Sequence, residues 1–254
     1  MTVSRGKYAG VLSILRYNWH FYAASLCALV GIAALRWFRL LPRAGEAVLI
    51  GAATLTAFWT LSSLLVSYYV YDYRGVTRWS WIPGILSFPP QRWLNIHAGL
   101  DESTLILMQF FPNTRHMVVD IYDPQEMTEL SVARARRLHP SAEPALAGKL
   151  DALPLYDRDC DTLFLLFAAH EIRQSARRTV FFLESARVLA SSGQLLLVEH
   201  MRDWNNFLAF GPGFLHFHSI DEWHRLAHDA DLRVEREGRV TPFVHWFLMT
   251  KAGT

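Results

Sequence analysis

The chain has 254 residues, of which 52% are hydrophobic, and its formal net charge is only +2. This length allows one large domain with an appended segment. So small a net charge argues against a nucleic-acid partner, because binding to phosphates requires a clear excess of Lys and Arg. The 2 cysteines, Cys27 in an apolar run and Cys160 in a polar stretch, predict no disulfide framework and a reducing compartment.

Two apolar runs lie near the N-terminus, over residues 19–35 and 47–70. Each is long enough to cross the hydrocarbon core of a bilayer, about 30 Å, as a helix. The short link between them contains Pro42 and Gly45, so the sequence predicts an antiparallel transmembrane hairpin within residues 1–71. A cleaved signal peptide and a buried hairpin of a soluble protein remain as alternatives, because the small residues of both runs suit close helix packing in either solvent.

A connector follows the hairpin at residues 72–91 and is rich in aromatic residues such as Trp79 and Trp81. Two interpretations of it are open. The aromatic side chains lie at the headgroup level of a membrane or cover the site as a lid, or they pack against the main domain, which is predicted over residues 92–254.

The main domain begins with a strand–turn–helix–strand unit over residues 92–124. Its first strand, Trp93–Ile96, leads into the small-residue turn His97-Ala98-Gly99, and its second strand ends on Asp120. In units of this kind the first turn lies against a nucleoside and the acid binds the ribose hydroxyls. The signal is weak by itself, because the turn has one glycine where the usual fingerprint has several.

Strands and helices continue to alternate after this unit. The predicted helices are residues 124–138, 176–189 and 219–230, and the predicted strands are residues 147–150, 162–167, 194–198, 232–240 and 243–250. The helix at residues 176–189 is predicted to end at a turn, Ser191 to Gly193. The helix at residues 219–230 is predicted to start at a capping box, which Ser219 forms with Glu222 three residues later. The last two strands are predicted to pair antiparallel.

This order of elements resembles the class I S-adenosylmethionine-dependent methyltransferases over residues 92–254. The segments that carry the resemblance are VVDIYDPQEM at the second strand, LDALPL after the third, and DTLFLLFAAHEI with RRTVFFLESARVLASSGQLLLVEH at the fourth and fifth. The resemblance implies an α/β fold: a Rossmann-like sheet with helices on both faces and a C-terminal antiparallel strand pair, here preceded by the transmembrane hairpin.

The resemblance also implies S-adenosylmethionine as the cofactor and positions for its parts. Asp120 matches the ribose position, Asp151 and Ala152 the adenine position, His97, Ala98 and Gly99 the turn beneath the methionine moiety, and Ala168 the mouth of the pocket. The first motif departs from the family, since Asn95 stands where an acid is usual and His97 replaces a glycine. Either Asp101 or Glu102 takes over the charge role, or the pocket is blocked.

Polar side chains follow the predicted carboxyl ends of strands one, four and five: His97, His170, Glu171, Glu199 and His200. These strands are neighbours in this topology, and ligands bind outside their carboxyl ends. We therefore single out His170, His200 and Glu171 as candidate catalytic residues, with a His or Glu as general base on a substrate hydroxyl. Structural polar residues and a divalent metal site are the alternatives, although no compact ligand motif such as HExxH is present.

The loop with His216 and His218 is expected to close over these side chains. Together the features predict a membrane-anchored methyltransferase that acts on a hydrophobic acceptor (a quinone, phenolic, polyene or acyl compound) and contacts membrane lipid. The rivals are a non-catalytic protein of the same fold that binds a lipid or a partner, and an enzyme of this fold with other, metal-assisted chemistry.

Basic residues flank the hairpin on both sides and also occupy its loop, so their distribution gives a slight preference for both ends of the hairpin in the cytoplasm. We place the methyltransferase domain on the cytoplasmic side of the cell inner membrane, since the cofactor that it is predicted to use is cytosolic.

Overall fold

The computed structural model describes residues 6–38, 42–141 and 143–253. The chain forms two compact units. The first comprises Met1–Gly75 and Trp204–Phe214, and the second comprises Val76–Asp203 and Leu215–Thr254. A short segment from the second half of the chain therefore belongs to the N-terminal unit, a long-range association that the sequence pattern does not indicate.

Helices make up the first unit. They are α1 (Ala9–Tyr17), α2 (Trp19–Trp37), α3 (Arg43–Ser67) and, from the later segment, α7 (Trp204–Phe210). The two predicted apolar runs form α2 and α3, whereas α1 and α7 were not predicted. Both hairpin helices are long and apolar enough to cross a membrane, and no residue of α2 is buried.

A π-helical turn, Tyr68–Tyr73, extends α3 and places the side chain of Asp72 at the start of α1. The Asp72 carboxylate accepts hydrogen bonds from the backbone N–H groups of Gly10 at 2.7 Å and Val11 at 2.8 Å. It thereby satisfies two of the donors that a helix N-terminus leaves open. A Cβ on Gly10 would lie 2.5 Å from Cβ of Tyr71, so only glycine permits this approach.

The second unit contains a seven-stranded sheet in the order β3-β2-β1-β4-β5-β7-β6. Its strands are β1 (Arg92–His97), β2 (Arg115–Asp120), β3 (Leu146–Ala147), β4 (Cys160–Leu166), β5 (Leu189–His200), β6 (Leu232–Thr241) and β7 (Val244–Lys251). Its helices are α4 (Thr104–Phe110), α5 (Leu130–Leu138), α6 (Ser175–Val188) and α8 (Ile220–Asp229). The first five strands run parallel, and β7 pairs antiparallel with both β5 and β6. The predicted sheet with a terminal antiparallel pair is confirmed.

The central strands β4 and β5 are buried on both faces, as their apolar runs predict. Ser219 caps α8 as expected, since its Oγ accepts from the N–H of Glu222 at 3.3 Å. The residues predicted as a turn, Ser191 to Gly193, lie within the range of β5 but at a break in its register: Leu189 pairs with Cys160, and regular pairing resumes with Gln194 opposite Thr162. The helix predicted from residue 124 begins only at Leu130.

The aromatic part of the connector packs inside the second unit. Val76, Trp79 and Ile82 are buried. Nε1 of Trp79 donates to the carbonyl oxygen of Glu102 at 3.3 Å, and its ring lies 5.6 Å from the ring of Phe167 after β4. For these three side chains the second interpretation of the connector holds, since they pack against the main domain.

Candidate cofactor and catalytic site

The parallel strands end along one edge of the sheet and bring their polar tips together. His97 at the end of β1 is in register with Asp120 at the end of β2. Leu166 at the end of β4 is in register with Val198, just before Glu199 in β5. The candidate residues therefore form two groups, one at the β1–β2 tips and one at the β4–β5 tips.

Asp120 is the centre of the first group. Its Oδ1 accepts hydrogen bonds at 3.0 Å from the backbone N–H groups of Gly99 and Tyr122, and so joins the turns after β1 and β2. Its Oδ2 is paired with Nη1 of Arg136, whose guanidinium also lies over the Tyr122 ring, 5.0 Å from the centroid. The Asp120 carboxylate thus holds both turns in place through Oδ1. Its Oδ2 is paired with Arg136, whose side chain is half exposed.

The turn beneath this carboxylate requires a glycine. Gly99 has a φ of +89°, and a Cβ there would lie 3.1 Å from the Tyr122 ring and 3.3 Å from Val132. Val132 and Arg136 are one helical turn apart on α5, so the same face of this helix covers the glycine and reaches Asp120. The side chains of Tyr122 and Val132 fill the space beside Gly99, so the glycine lets the turn after β1 pack closely against them.

His97 lies between the two turns and is 4% exposed. Neither ring nitrogen has a hydrogen-bond partner among the described residues, and Nδ1 is 3.6 Å from Oδ1 of Asp120. Burial lowers the pKa of His97 against the opposing attraction of Asp120, which favours the neutral imidazole. A buried polar ring without partners is costly unless a ligand satisfies it, so the residues at this tip fit a polar group such as the cofactor.

Asn95 ties β1 to the start of α4. Its Nδ2 donates to Oγ1 of Thr104 at 2.7 Å and to Oγ of Ser103 at 2.9 Å. Asp101 uses its Oδ1 to cap the same helix, accepting from the N–H groups of Ser103 and Thr104 at 3.0 Å. The charge of Asp101 is therefore directed to the helix start.

The adenine-position residues lie in a turn after β3. Asp151 and Ala152 are exposed, and Oδ2 of Asp151 is 3.5 Å from Nη1 of Arg177. The turn is joined to the β2 tip by one backbone hydrogen bond, from the N–H of Gly148 to the carbonyl oxygen of Asp120 at 2.9 Å. Ala168, at the predicted pocket mouth, is buried after β4.

His170 is the centre of the second group. Its Nδ1 lies 2.6 Å from Oε2 of Glu199, and its Nε2 lies 3.2 Å from Oε1 of Glu171. Glu199 is fully buried, and its Oε1 accepts from the backbone N–H groups of Ala169 at 2.9 Å and of His170 at 3.2 Å. Glu199 therefore fixes both the position of the backbone at His170 and the orientation of its ring.

The charges of this group favour a protonated imidazole. Burial opposes the charge, but the carboxylates of Glu199 and Glu171 outweigh it and raise the pKa of His170 to about 10. Burial likewise opposes ionisation of Glu171, yet its hydrogen bonds to His170 and His216 hold its pKa far below the usual range. Oε2 of Glu171 is buried and has no hydrogen-bond partner among the described residues.

His216 closes over the group, as predicted. Its Nε2 lies 3.6 Å from Oε1 of Glu171, and its Nδ1 lies 3.3 Å from Oε1 of Glu129 and 3.1 Å from Nη1 of Arg173. Ligand-type atoms of His170, Glu171 and His216 lie within 4.8 Å of one another. Two imidazoles therefore converge on one carboxylate, each with a further carboxylate on its other nitrogen.

His200 and His218 occupy different surroundings. The His200 ring lies between Phe167 at 5.2 Å and Phe217 at 5.0 Å, both nearly parallel to it, and its Nδ1 is 2.9 Å from the carbonyl oxygen of Phe243. His218 packs edge-on against Trp223 at 5.5 Å, and burial lowers its pKa to about 3. These contacts are typical of aromatic packing.

Arg136 and Glu129 contact the candidate groups, through Asp120 and His216 respectively, and the sequence analysis did not single them out. Only the packing of α5 against the β1–β2 tips shows that Arg136 reaches Asp120. The one available signal was its spacing of four residues from Val132, which indicates a shared helix face.

No protein-family model and no curated protein sequence matches the chain. Solved structures do. The mitomycin 7-O-methyltransferase MmcR has a TM-score of 0.54 at 12% identity, over 98% of this chain and 74% of its own. The PH0226 protein from Pyrococcus horikoshii has a TM-score of 0.53 at 15% identity, over 71% and 91%. A SAM-dependent methyltransferase from Methanosarcina mazei has a TM-score of 0.50 at 16% identity, over 68% and 97%.

The chain therefore has the Rossmann-like fold of the class I S-adenosylmethionine-dependent methyltransferases, and the predicted fold class is confirmed. The likeness lies in the fold, since the identities are low.

Proposed function

We propose that this chain is a membrane-anchored S-adenosylmethionine-dependent methyltransferase that transfers a methyl group to a hydroxyl of a hydrophobic small molecule. The cofactor supplies a methyl group already activated on a sulfonium, so the protein has mainly to bind, orient and remove one proton. The observation that carries the proposal is that Asp120 at the β2 tip and the His170–Glu199 pair at the β4–β5 tips lie along the same edge of this sheet.

Each group has a distinct role in this proposal. Asp120, with Gly99 and the unpartnered ring of His97, holds the nucleoside end of the cofactor. His170 accepts the proton of the acceptor hydroxyl, and Glu199 orients the imidazole and stabilises its cation. The acceptor hydroxyl donates its one proton to His170, so Oε2 of Glu171, which has no hydrogen-bond partner among the described residues, is left for a second donor group of the acceptor molecule.

Titration of the purified protein in detergent tests the cofactor directly. We expect saturable binding of S-adenosylmethionine and of S-adenosylhomocysteine by isothermal titration calorimetry. If neither compound binds at millimolar concentration, the methyltransferase proposal fails and a non-catalytic protein of this fold takes its place. The Asn95 network at the altered first motif favours that second candidate, because its amide is already committed to α4.

The raised pKa of His170 predicts an unusual pH dependence. Only the neutral imidazole accepts a proton, and a group with a pKa of about 10 is neutral in about one molecule in a thousand at pH 7. The methylation rate is therefore expected to rise about tenfold per pH unit from neutrality and to level off near the raised pKa. A pH–rate profile under saturating substrates checks this.

Glu199→Gln is the matched variant for this profile. The amide removes the largest attraction that raises the pKa of His170, so the midpoint of the profile should move to lower pH. The maximal rate should also fall, because the amide NH2 faces Nδ1 and favours the tautomer with the proton on Nε2. A wild-type midpoint at the ordinary histidine value, or an unchanged midpoint in Glu199→Gln, would remove His170 from the role of base.

The same cluster supports metal-assisted chemistry as a further candidate, since His170, Glu171 and His216 present ligand-type atoms within 4.8 Å. A chelator distinguishes the two. Direct proton transfer to His170 predicts a rate that EDTA leaves unchanged. A rate that EDTA abolishes and one divalent ion restores would favour the metal.

Membrane anchoring is supported by the exposure of the hairpin. A core helix of a soluble protein is mostly buried, whereas the apolar windows of α2 and of the helix containing α3 have no buried residues in this chain. Large apolar side chains such as Leu26, Val30, Leu61 and Leu65 are 60% or more exposed. Lipid is the solvent in which such a surface is stable, and we propose the cell inner membrane, with the second unit on the cytoplasmic side.

Fractionation tests the anchor. Residues 17–71 are expected to keep the full-length protein in the membrane fraction after a high-salt wash and after carbonate, because the apolar area of two spanning helices is not released by charge screening. Detergent should release it. Release by salt or carbonate alone would indicate a peripheral or soluble hairpin.

A further inference from the structure

The segment after β5 leaves the second unit and returns to it at one point. Arg202 closes the base of this excursion: its N–H donates to the carbonyl oxygen of His218 at 2.8 Å, its Nε to that of Phe217 at 2.7 Å, and its Nη2 to that of Leu215 at 2.9 Å. The excursion itself, Trp204–Phe214, belongs to the first unit. We call it the α7 segment.

Within the first unit the α7 segment packs on the second half of α3. The Phe207 ring lies 5.6 Å from the Trp59 ring, and Oγ of Ser62 donates to the carbonyl oxygen of Leu208 at 3.0 Å. Gly211 has a φ of +56°, and a Cβ there would lie 2.7 Å from the Trp59 ring. Three contacts of different kinds therefore place the α7 segment beside residues 59–62 of α3.

Residues 59–62, where the α7 segment packs, lie several residues before the C-terminal end of α3. Trp59 and Ser62 precede Ser67, the last residue of α3, by 8 and 5 residues, which is about 8–12 Å along the axis at about 1.5 Å per residue. Tyr68, Tyr69 and Tyr71 follow at that end, where aromatic rings favour the headgroup level. Beside a spanning α3, the α7 segment lies at the depth of the upper acyl chains, where interfacial helices insert by about 5–10 Å.

The surface of the α7 segment suits that depth. No residue from Trp204 to Phe214 is charged. Trp204 is 77% exposed and Leu208 53% exposed, and on α3 the neighbouring Leu61 is 60% exposed. The exposed apolar residues of the two helices occur at the same level of one unit. A single apolar environment would therefore cover both sets of side chains.

We propose that the α7 segment is a third membrane-inserted element, which places Trp204 and Leu208 among the upper acyl chains beside α3. This inference rests on the proposed membrane anchoring. It deepens the proposed function, because the residues that follow the segment, His216 and Phe217, contact the His170 ring at 5.2 and 6.2 Å. The loop that reaches the lipid is thus continuous in sequence with the cluster that is proposed to act on a lipid-soluble acceptor.

Site-specific fluorophores in the full-length protein test the depth. Cys27→Ser leaves only the buried Cys160, so a new cysteine can be labelled with NBD. The three matched sites are exposed leucines: Leu208→Cys on α7, Leu55→Cys deeper on α3, and Leu183→Cys on α6 of the second unit. The protein is reconstituted in phosphatidylcholine vesicles that carry a nitroxide quencher either near the headgroup or near the chain end.

We expect the emission of NBD at Leu208→Cys to be blue-shifted and quenched more by the headgroup-proximal nitroxide. At Leu55→Cys the emission should be quenched more by the chain-end nitroxide. At Leu183→Cys neither nitroxide should change the emission. Quenching at Leu55→Cys with none at Leu208→Cys would overturn the α7 proposal and keep the anchor. The absence of quenching at both would overturn the anchor itself. A blue shift at Leu208→Cys that lipid quenchers leave unchanged would indicate a protein contact, and would overturn the proposal as well.

Discussion

His170→Ala is expected to lower the turnover number by about 10²–10⁴-fold and to change the affinity for S-adenosylmethionine little. This is the usual contribution of a positioned general base, and the residue lies at the β4–β5 tips, whereas the proposed nucleoside contacts lie at the β1–β2 tips. Steady-state kinetics and calorimetric titration of the same preparations measure the two quantities separately.

Two other histidines provide the comparison. His224, paired at the surface with Glu237 at 2.8 Å, should tolerate alanine in every assay. His200 was the second candidate base, but its stacking between Phe167 and Phe217 leads us to expect a lower melting temperature from His200→Ala and a smaller loss of turnover in the folded fraction. Full activity in His170→Ala would return His170 to a structural role.

Asp120→Ala is expected to weaken nucleoside binding by about tenfold to more than a hundredfold. A hydrogen bond to a charged group contributes about 1.5–3 kcal/mol, and about 1.4 kcal/mol corresponds to a factor of ten in affinity. Asp120→Asn should lose less, because the amide oxygen still accepts from the N–H groups of Gly99 and Tyr122. Calorimetry with S-adenosylhomocysteine measures the affinity, and thermal unfolding of the same samples measures stability.

Two controls separate binding from scaffolding at this carboxylate. Asp123 is exposed and accepts only a local N–H, that of Gln125 at 2.8 Å, among the contacts of its side chain described here, so Asp123→Ala should bind normally. Arg136→Ala frees Oδ2 of Asp120 and should not weaken binding. If Asp120→Ala lowers only the melting temperature and leaves affinity unchanged, Asp120 merely holds the two turns together.

Short-range patterns in the sequence determined the architecture of the second unit. Apolar runs such as residues 162–167 predict strands buried on both faces, and Ser219 with Glu222 predicts a helix start, because these signals depend on neighbours within one turn or one strand. The position of Asp120 at a strand tip followed from the same reasoning. Strand order then brought the tips to one edge, as the topology requires.

Local signals failed where a distant contact overrides them. Ser191 to Gly193 has the composition of a turn, but that composition does not show that Leu189, before it, already pairs with Cys160 of β4 and so starts β5 ahead of the break. The uncharged α7 segment was not recognised as a helix, and its membership of the first unit depends on contacts with Trp59 and Ser62 about 146 residues away in sequence.

The chemistry of the site depended most on tertiary structure. The sequence identified His170 and Glu199 as strand-tip residues, but not that their side chains meet at 2.6 Å and raise the pKa of the imidazole. Nor did it show that Arg136 occupies one oxygen of Asp120. A side-chain pair of this kind is selected by the packing of whole elements, which places groups 16 or 29 residues apart within hydrogen-bond distance, and no periodicity along the chain records that distance.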